Sequence, residues 1–119
     1  MLEILRKTIK AGCQTTKYPA VPDIAPEGFR GKPEISDKCT FCGDCIKVCP
    51  PGVIWFTEKS GEKILSLSYC GCIFCGRCEE ACGYGAIKLT QEYELASKTK
   101  EDLVTSISTS TNTSIRSKL

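Results

Sequence analysis

The sequence predicts a small α+β domain built from two β–α–β halves that are related by a pseudo-two-fold axis. Three observations lead to this prediction. A four-cysteine unit occurs twice in the 119-residue chain, each copy lies between short segments of strand-type composition, and the flanks are rich in proline or in serine and threonine. A chain of this length has room for one compact domain with extensions. We therefore expect the repeat to form the domain and the flanks to extend from it.

The two cysteine units are related by one constant offset of 33 residues. The first is CTFCGDCIKVCP at 39–50, and the second is CIFCGRCEEACG at 72–83. The phenylalanine and the first glycine of each unit repeat together with the cysteines. Two copies are too few for a solenoid, but they are enough for a two-fold pseudo-symmetric domain. The second unit departs from the first at its end, because Gly83 stands where the first unit has Pro50.

The spacing within each unit, C-x₂-C-x₂-C-x₃-C, predicts two [4Fe–4S] clusters. It is typical of two-cluster iron–sulfur proteins, in which the fourth cysteine ligates the other cluster. Gly43 and Gly76 let the backbone come close to the inorganic sulfides, because they have no Cβ. Pro50 is expected to end the short helix that carries the fourth cysteine. The predicted ligands are Cys39, Cys42, Cys45 and Cys82 for cluster I, and Cys72, Cys75, Cys78 and Cys49 for cluster II.

Disulfides and zinc are the other uses of cysteine at this density. Disulfides need an oxidising compartment, and the N-terminus MLEILRKTIK has neither the apolar core nor the cleavage site of a secretory signal. Zinc ribbons use paired C-x₂-C knuckles across a longer gap, without a third cysteine three residues on. Cys70 is an alternative to Cys72 as a ligand, although the repeat favours Cys72. We expect Cys70 to be a small buried hydrophobe beside a cluster, and Cys13 to be a packing or incidental residue.

The composition excludes most kinds of catalytic site. The chain has no histidine, which excludes Cys₂His₂ zinc, Rieske ligation and histidine-dependent catalysis. No paired-carboxylate or phosphate-loop motif occurs, so we expect no catalytic residues and no chemistry on an organic substrate by this chain alone. We expect no nucleic-acid partner. No run approaches the roughly 20 apolar residues that span a bilayer, so we expect the chain in the cytoplasm.

The N-terminal flank, residues 1–31, is expected to be a docking device in two parts. Leu2, Leu5 and Ile9 have helical spacing, so residues 1–11 predict an amphipathic helix with basic residues on its other faces. Such a helix lies on a membrane surface or a partner, or else packs on its own domain. The next segment, KYPAVPDIAPEGFRGKP, contains four prolines. This composition predicts an extended arm.

The two-cluster domain is expected to occupy residues 32–90. KPEIS, GVIWF, KILSLS and GAIKL are its predicted strands, with a short helix within each cysteine unit and a hairpin turn in TEKSGEK. Leu65 and Leu67 alternate with serines, which predicts a strand buried on one face. Residues 91–119 form a C-terminal extension. Eight of the ten residues 105–114 are serine or threonine, so this tail is expected to be disordered or bound to a partner.

The repeat resembles the two-cluster bacterial ferredoxin family over about 55 residues. The flanking segments TTKYP, FRGKPEI and YELASKTKEDLV resemble a narrower family. That family is the ferredoxin-like subunit shared by respiratory complex I and the group 4 membrane-bound nickel–iron hydrogenases, which include energy-converting hydrogenases and formate hydrogenlyases. The resemblance implies a peripheral subunit on the cytoplasmic side of the cell membrane.

The resemblance also implies a function. Such a subunit relays electrons through two [4Fe–4S] clusters between a soluble donor or acceptor, such as ferredoxin, and the catalytic subunits of a hydrogenase. Its partners are the other subunits of a membrane-bound hydrogenase or a complex I-like assembly. A complex I-type relay subunit and a freely diffusing two-cluster ferredoxin stay open as alternatives. Free bacterial ferredoxins are usually strongly acidic and begin close to their first cysteine, whereas 38 residues precede Cys39 here.

Overall fold

The computed structural model describes residues 2–109 of the chain. In this part of the chain, short strands form two antiparallel sheets, and short helices carry the cysteines. This is the small α+β fold that the sequence predicts. The elements are α1 (Leu2–Ala11), β1 (Pro33–Ile35), α2 (Asp44–Val48), β2 (Ile54–Lys59), β3 (Glu62–Ser68), α3 (Arg77–Glu80), β4 (Ile87–Leu89) and β5 (Val104–Ser108), with 3₁₀ turns at Tyr69–Gly71 and Glu101–Leu103.

The smaller sheet joins the beginning and the end of the repeat. Strands β1 and β4 are antiparallel, and Ile35 is paired with Ile87. The backbone pairing continues past the strand ends, because the Gly31 amide donates to the Thr90 carbonyl oxygen at 2.8 Å. Lys32 strengthens this junction with an ion pair of 2.5 Å to Glu92. The first and last predicted strands of the domain are therefore neighbours.

The larger sheet contains the predicted hairpin and one strand that the sequence did not indicate. Strands β2 and β3 are joined by Ser60 and Gly61 alone. Both residues have positive φ, 53° and 82°, as a two-residue turn that follows the right-handed twist of the strands requires. The hairpin is thus confirmed, with a turn shorter than TEKSGEK suggests.

Strand β5 is the main difference from the expectation. The composition of 105–114 led us to expect no contribution to a core, yet Val104–Ser108 pairs antiparallel with β3. Ile107 lies opposite Leu65 and is only 3% exposed. The valine, threonine and isoleucine of this segment are β-branched and suit a strand once β3 offers an edge to pair with. Residues 110–119, the rest of the predicted tail, lie outside the described residues.

Pairing on both sides makes β3 the central strand of the larger sheet. Ser66 has Trp55 and Ser106 as its cross-strand partners and is 7% exposed. The expectation that β3 is buried on one face only is therefore wrong at Ser66, since a second neighbouring strand covers it. The buried apolar residues form a core that joins both sheets to the first cysteine loop: Ile35, Cys45, Ile54, Leu65, Leu67, Ala86, Ile87 and Ile107.

The N-terminal helix forms as predicted. The Gly12 amide donates to the Thr8 carbonyl oxygen at 3.2 Å, and Gly12 has φ of 63°, a left-handed conformation that ends helices. None of the residues of α1 is buried. Leu2, Leu5 and Ile9 are 82%, 58% and 73% exposed, so within the described chain their apolar side chains remain in contact with solvent.

The proline-rich arm that follows α1 is fastened to the segment after β4. The ring of Tyr93 lies 6.3 Å from that of Tyr18 and 6.2 Å from that of Phe29, measured between centroids. The Tyr93 hydroxyl donates to the Asp23 carbonyl oxygen at 2.8 Å, and the Tyr18 hydroxyl donates to Glu94 at 3.0 Å. These contacts hold an arm of irregular structure against the domain, and they place Arg30 near its end beside the second cysteine loop.

Candidate metal centres

The eight cysteines of the repeat line two separate cavities. Each cavity takes three cysteines from one unit and the last cysteine from the other unit. These are the two groups that the sequence analysis assigns to clusters I and II. The first cavity is lined by Cys39, Cys42, Cys45 and Cys82, and the second by Cys49, Cys72, Cys75 and Cys78.

Both cysteine loops have the same backbone conformation. Gly43 and Gly76 directly precede α2 and α3, and both have φ of 82°. Phe41 and Phe74 have φ of 56° and 52°, a left-handed conformation that is uncommon for an aromatic residue. Paired strain at matching positions indicates that the three-residue spacing forces the chain to curl around the cavity. A Cβ on Gly43 would also approach the ring of Phe56 to 3.2 Å.

The fourth cysteine of each unit is aimed away from its own loop by the same turn. The Gly52 amide donates to the Cys49 carbonyl oxygen at 3.1 Å, and the Gly85 amide donates to that of Cys82 at 3.0 Å. Both glycines have positive φ, 64° and 61°. The turn forms in the second unit although Gly83 replaces the proline. The x₃ gap and the helix before it therefore direct the cysteine without help from proline.

Burial and repulsion between neighbouring thiolates both raise the pKa of several of these cysteines, which disfavours their thiolate forms. Burial raises the pKa of Cys45 and of Cys78 to about 11, and neighbouring thiolates add to the effect. Burial also raises the pKa of Cys39, with a further rise from the charge of Cys82, which comes from the other unit. The pKa of Cys72 is raised by burial and by Cys49 in the same crossed way. Thiolates in such a site need cations to compensate their charge.

Backbone amides favour the thiolate at Cys82. Burial acts to raise its pKa, but amides of Tyr84, Gly85, Ala86 and Ile87 outweigh burial and lower it. The amide of Ala86 donates to Cys82 Sγ at 3.2 Å. In the other loop, the Phe74 amide donates to Cys72 Sγ at 3.5 Å. Hydrogen bonds of this kind to ligand sulfur are one of the means by which a protein sets the potential of an iron–sulfur cluster.

The donor set fits [4Fe–4S] clusters. All ten cysteines are free thiols, so eight are available as ligands. Within residues 2–109, no three or more cysteine and acidic side chains are grouped for a single metal ion. Ligands of a cubane each bind a different iron, so their sulfurs stand farther apart than those around one ion. Two cavities with four thiols each, curled loops and amides directed at sulfur suit that geometry.

The two cysteines outside the repeat do not line either cavity. Cys70 is exposed, so our expectation that it is buried beside a cluster is wrong. The 3₁₀ turn Tyr69–Gly71 places it at the surface, with Sγ 3.9 Å from the Lys100 carbonyl oxygen. Cys13 is also exposed, and its Sγ lies 3.1 Å from Thr15 Oγ1. It is therefore not a packing residue.

Two residues near the cavities were not identified from the sequence. Phe56 covers Gly43 in the first loop. It is the cross-strand partner of Leu65, so the predicted hairpin and the buried position of Leu65 are signals that could have identified it. Arg30 donates to the Cys75 carbonyl oxygen in the second loop. No local pattern predicts this contact, because 45 residues separate the two partners.

Comparison with known proteins identifies the central part of the chain. Residues 38–86 match the family described as a 4Fe-4S dicluster domain. These residues form a 4Fe-4S dicluster domain. Its two clusters agree with the two cysteine cavities, so the cofactors predicted from the sequence are confirmed as two [4Fe–4S] clusters.

The similarity to curated proteins extends beyond the dicluster domain. The chain is 45% identical over 107 residues to formate hydrogenlyase subunit 6 of Escherichia coli K12, which covers 87% of this chain and 59% of that protein. It is 44% identical over 97 residues to the chloroplastic NAD(P)H-quinone oxidoreductase subunit I of Dioscorea elephantipes, covering 75% of this chain and 54% of the relative. The chain is homologous to both, and the matches span little more than half the length of each.

The fold also recurs in a solved structure. A chain of the membrane-bound sulfane sulfur reductase, described as an archaeal respiratory membrane complex, superposes with a TM-score of 0.64. The two sequences are 22% identical, and the match covers 84% of this chain and 56% of the other. At that level of identity the likeness concerns the fold. It includes segments outside residues 38–86, which shows that the flanks share in the common architecture.

Proposed function

We propose that this chain is an electron-relay subunit of a membrane-bound hydrogenase complex. The observation that carries the proposal is the pair of four-cysteine cavities, each lined by cysteines of both units. A [4Fe–4S] cluster takes up and releases a single electron. Two such clusters in one domain provide a path rather than a reaction site. The relatives named as formate hydrogenlyase subunit 6 and NAD(P)H-quinone oxidoreductase subunit I support placement in a larger oxidoreductase.

The ligand sets that we propose are crossed. Cluster I is held by Cys39, Cys42, Cys45 and Cys82, and cluster II by Cys72, Cys75, Cys78 and Cys49. Support comes from the lining of the two cavities and from the thiolates that raise one another's pKa across the repeat, Cys82 on Cys39 and Cys49 on Cys72. We also propose that β1–α2–β2 and β3–α3–β4 are halves related by a pseudo-two-fold axis. The φ angles at matching positions of the two loops, which agree within 4°, support it.

We propose that the helix α1 and the arm after it form a docking device. We also propose that the chain is divided into this N-terminal flank at residues 1–31, the two-cluster domain at 32–90 and a C-terminal extension at 91–119. The apolar side chains of α1 are exposed while Arg6 and Lys10 line the same groove. No helix within residues 2–109 has the length and apolar character needed to cross a bilayer. We therefore propose peripheral attachment through other subunits of the complex, on the cytoplasmic side of the cell membrane.

A soluble carrier such as ferredoxin and the catalytic hydrogenase subunits are the proposed ends of the relay. The second candidate is a relay subunit of a complex I-type quinone oxidoreductase, which the 44% identity to NAD(P)H-quinone oxidoreductase subunit I favours. A freely diffusing ferredoxin accounts less well for the structure, because it does not explain why the apolar side chains of α1 are exposed ahead of the domain. The subunits that accompany the chain distinguish these candidates.

The test is purification of the tagged chain from the membranes of its native cells. We expect a nickel–iron catalytic subunit to accompany it. In the variant Leu5→Asp with Ile9→Asp, the apolar side of α1 is charged, and the chain should leave the membrane fraction with both clusters intact. Lys7→Gln changes the opposite side of the helix and is the matched control, expected to stay attached.

Other results decide against the proposal. A quinone-reducing complex without nickel would favour the second candidate. Recovery of the native chain alone in the soluble fraction would contradict the relay-subunit role. Retention of the Leu5→Asp, Ile9→Asp variant on the membrane would contradict docking through α1.

A further inference from the structure

Arg30, at the end of the N-terminal arm, lies against the loop of the second cysteine unit. Its Nη1 donates a hydrogen bond of 2.8 Å to the Cys75 carbonyl oxygen. A Cβ on Gly76 would lie 3.8 Å from both Cζ and Nε of Arg30, so the guanidinium covers the backbone of that loop. The contact between Phe29 and Tyr93 holds the arm at this place. The positively charged guanidinium of Arg30 therefore stands beside the loop that lines the second cavity.

The corresponding position of the first unit has a neutral cover. A Cβ on Gly43 would lie 3.2 Å from the ring of Phe56, whereas the same position in the second unit faces Arg30. The carboxylate of Asp44 in the first unit is paired with Lys47 at 3.0 Å, so this pair adds little net charge beside that loop. Two loops of the same backbone conformation thus have surroundings of different charge.

We propose that Arg30 raises the reduction potential of cluster II. The loop and its cluster gain one negative charge when an electron arrives, and a positive charge nearby stabilises that state. The charge of Arg30 therefore favours an electron at the site of Cys72, Cys75 and Cys78. Arg30 acts as a positioning and tuning residue, since it contacts the loop and not a ligand sulfur. The inference rests on the proposed function, because it assumes that both cavities hold redox-active clusters.

The experiment is an anaerobic redox titration of the full-length reconstituted protein with dithionite as reductant. Paramagnetic NMR of the cysteine β-protons follows the two clusters separately. Arg30→Gln removes the charge but keeps an N–H donor for the Cys75 carbonyl oxygen. At the potential where cluster II of the native protein is half reduced, we expect its reduced-to-oxidised ratio to fall about fivefold in this variant. Cluster I should change less than twofold.

Two further variants separate charge from structure. Arg30→Lys keeps the charge and should keep the ratio within twofold of the native value. Arg77→Gln removes a positive charge from α3, where Arg77 lines a different groove with Lys47 and Glu80, and it should also stay within twofold. Arg30→Met is a second neutral variant and replaces Arg30→Gln if that protein does not take up both clusters.

Each outcome decides the question. An unchanged cluster II in the neutral variants would overturn the proposal. So would an equal shift of both clusters, or a fall in Arg30→Lys as large as that in Arg30→Gln, because each of these would assign Arg30 a structural role only. If the native protein takes up two clusters and the variants give one of these contrary results, the proposed function stays intact. A native protein that takes up no cluster contradicts the proposed function itself.

Discussion

Strand β5 should contribute measurably to the stability of the domain, and Ile107→Ala tests this. Ile107 is 3% exposed and lies opposite Leu65. The substitution removes about three buried carbons, worth roughly 0.8 kcal/mol each in transfer free energy. The cavity left behind adds to this, so we expect a loss of about 3 kcal/mol, within the usual range of roughly 2–5 kcal/mol for such truncations.

The assay is thermal unfolding of the anaerobic two-cluster protein at one fixed scan rate, followed by far-UV circular dichroism and by visible absorption. A loss of about 3 kcal/mol lowers the midpoint by roughly 12 °C in a domain of this size. Ile24→Ala is the matched control, since Ile24 is 93% exposed. It should change the stability by less than about 0.5 kcal/mol. Equal midpoints for Ile107→Ala and Ile24→Ala would refute the assignment of Val104–Ser108 to the core sheet.

Two other perturbations test the junctions of the structure. Gly31→Ala should lower the free energy of unfolding by about 1–3 kcal/mol, because a Cβ there collides with the carbonyl oxygens of Thr90 and Glu92. Gly83→Ala is the control, since Gly83 has open space around it, and it should unfold at the native midpoint. Equal midpoints for the two variants would contradict the close approach of Gly31 to those carbonyl oxygens. Chelation of the iron should abolish most of the NMR dispersion of residues 32–90, since Cys45 is part of the core, and a native-like spectrum after complete iron removal would contradict this. Because burial raises the pKa of Cys45 and Cys78 to about 11, ligation must displace their protons, so uptake of iron by the apo-protein should fall as the pH is lowered.

The two [4Fe–4S] clusters were more predictable from the sequence than the fold around them. Cluster chemistry fixes the spacing of cysteine ligands, so the repeated C-x₂-C-x₂-C-x₃-C unit was enough to predict two clusters. Strand β3 and its hairpin were predictable for a similar reason, because the alternation of Leu65 and Leu67 is a local pattern.

The remaining features depend on contacts between distant parts of the chain. The segment Val104–Ser108 has one large apolar residue, and its composition resembles that of a disordered tail; it becomes a strand because β3 offers an unpaired edge. The exposure of Cys70 follows from the 3₁₀ turn after β3, which no cysteine spacing indicates. The contact between Arg30 and Cys75 spans the arm and the second loop. Tertiary packing decides such features, and a single sequence does not record it.

The central claim is that the two halves share their clusters, and the most direct test is site-resolved paramagnetic NMR of Cys49→Ser. Cys49 follows the first loop in the chain but lines the second cavity. The substitution should therefore alter the shifted β-proton resonances of Cys72, Cys75 and Cys78. Cys70→Ser is the matched control, since Cys70 is exposed and outside both cavities, and it should leave both sets unchanged. A Cys49→Ser spectrum in which only the resonances of Cys39, Cys42 and Cys45 change would contradict the crossed arrangement.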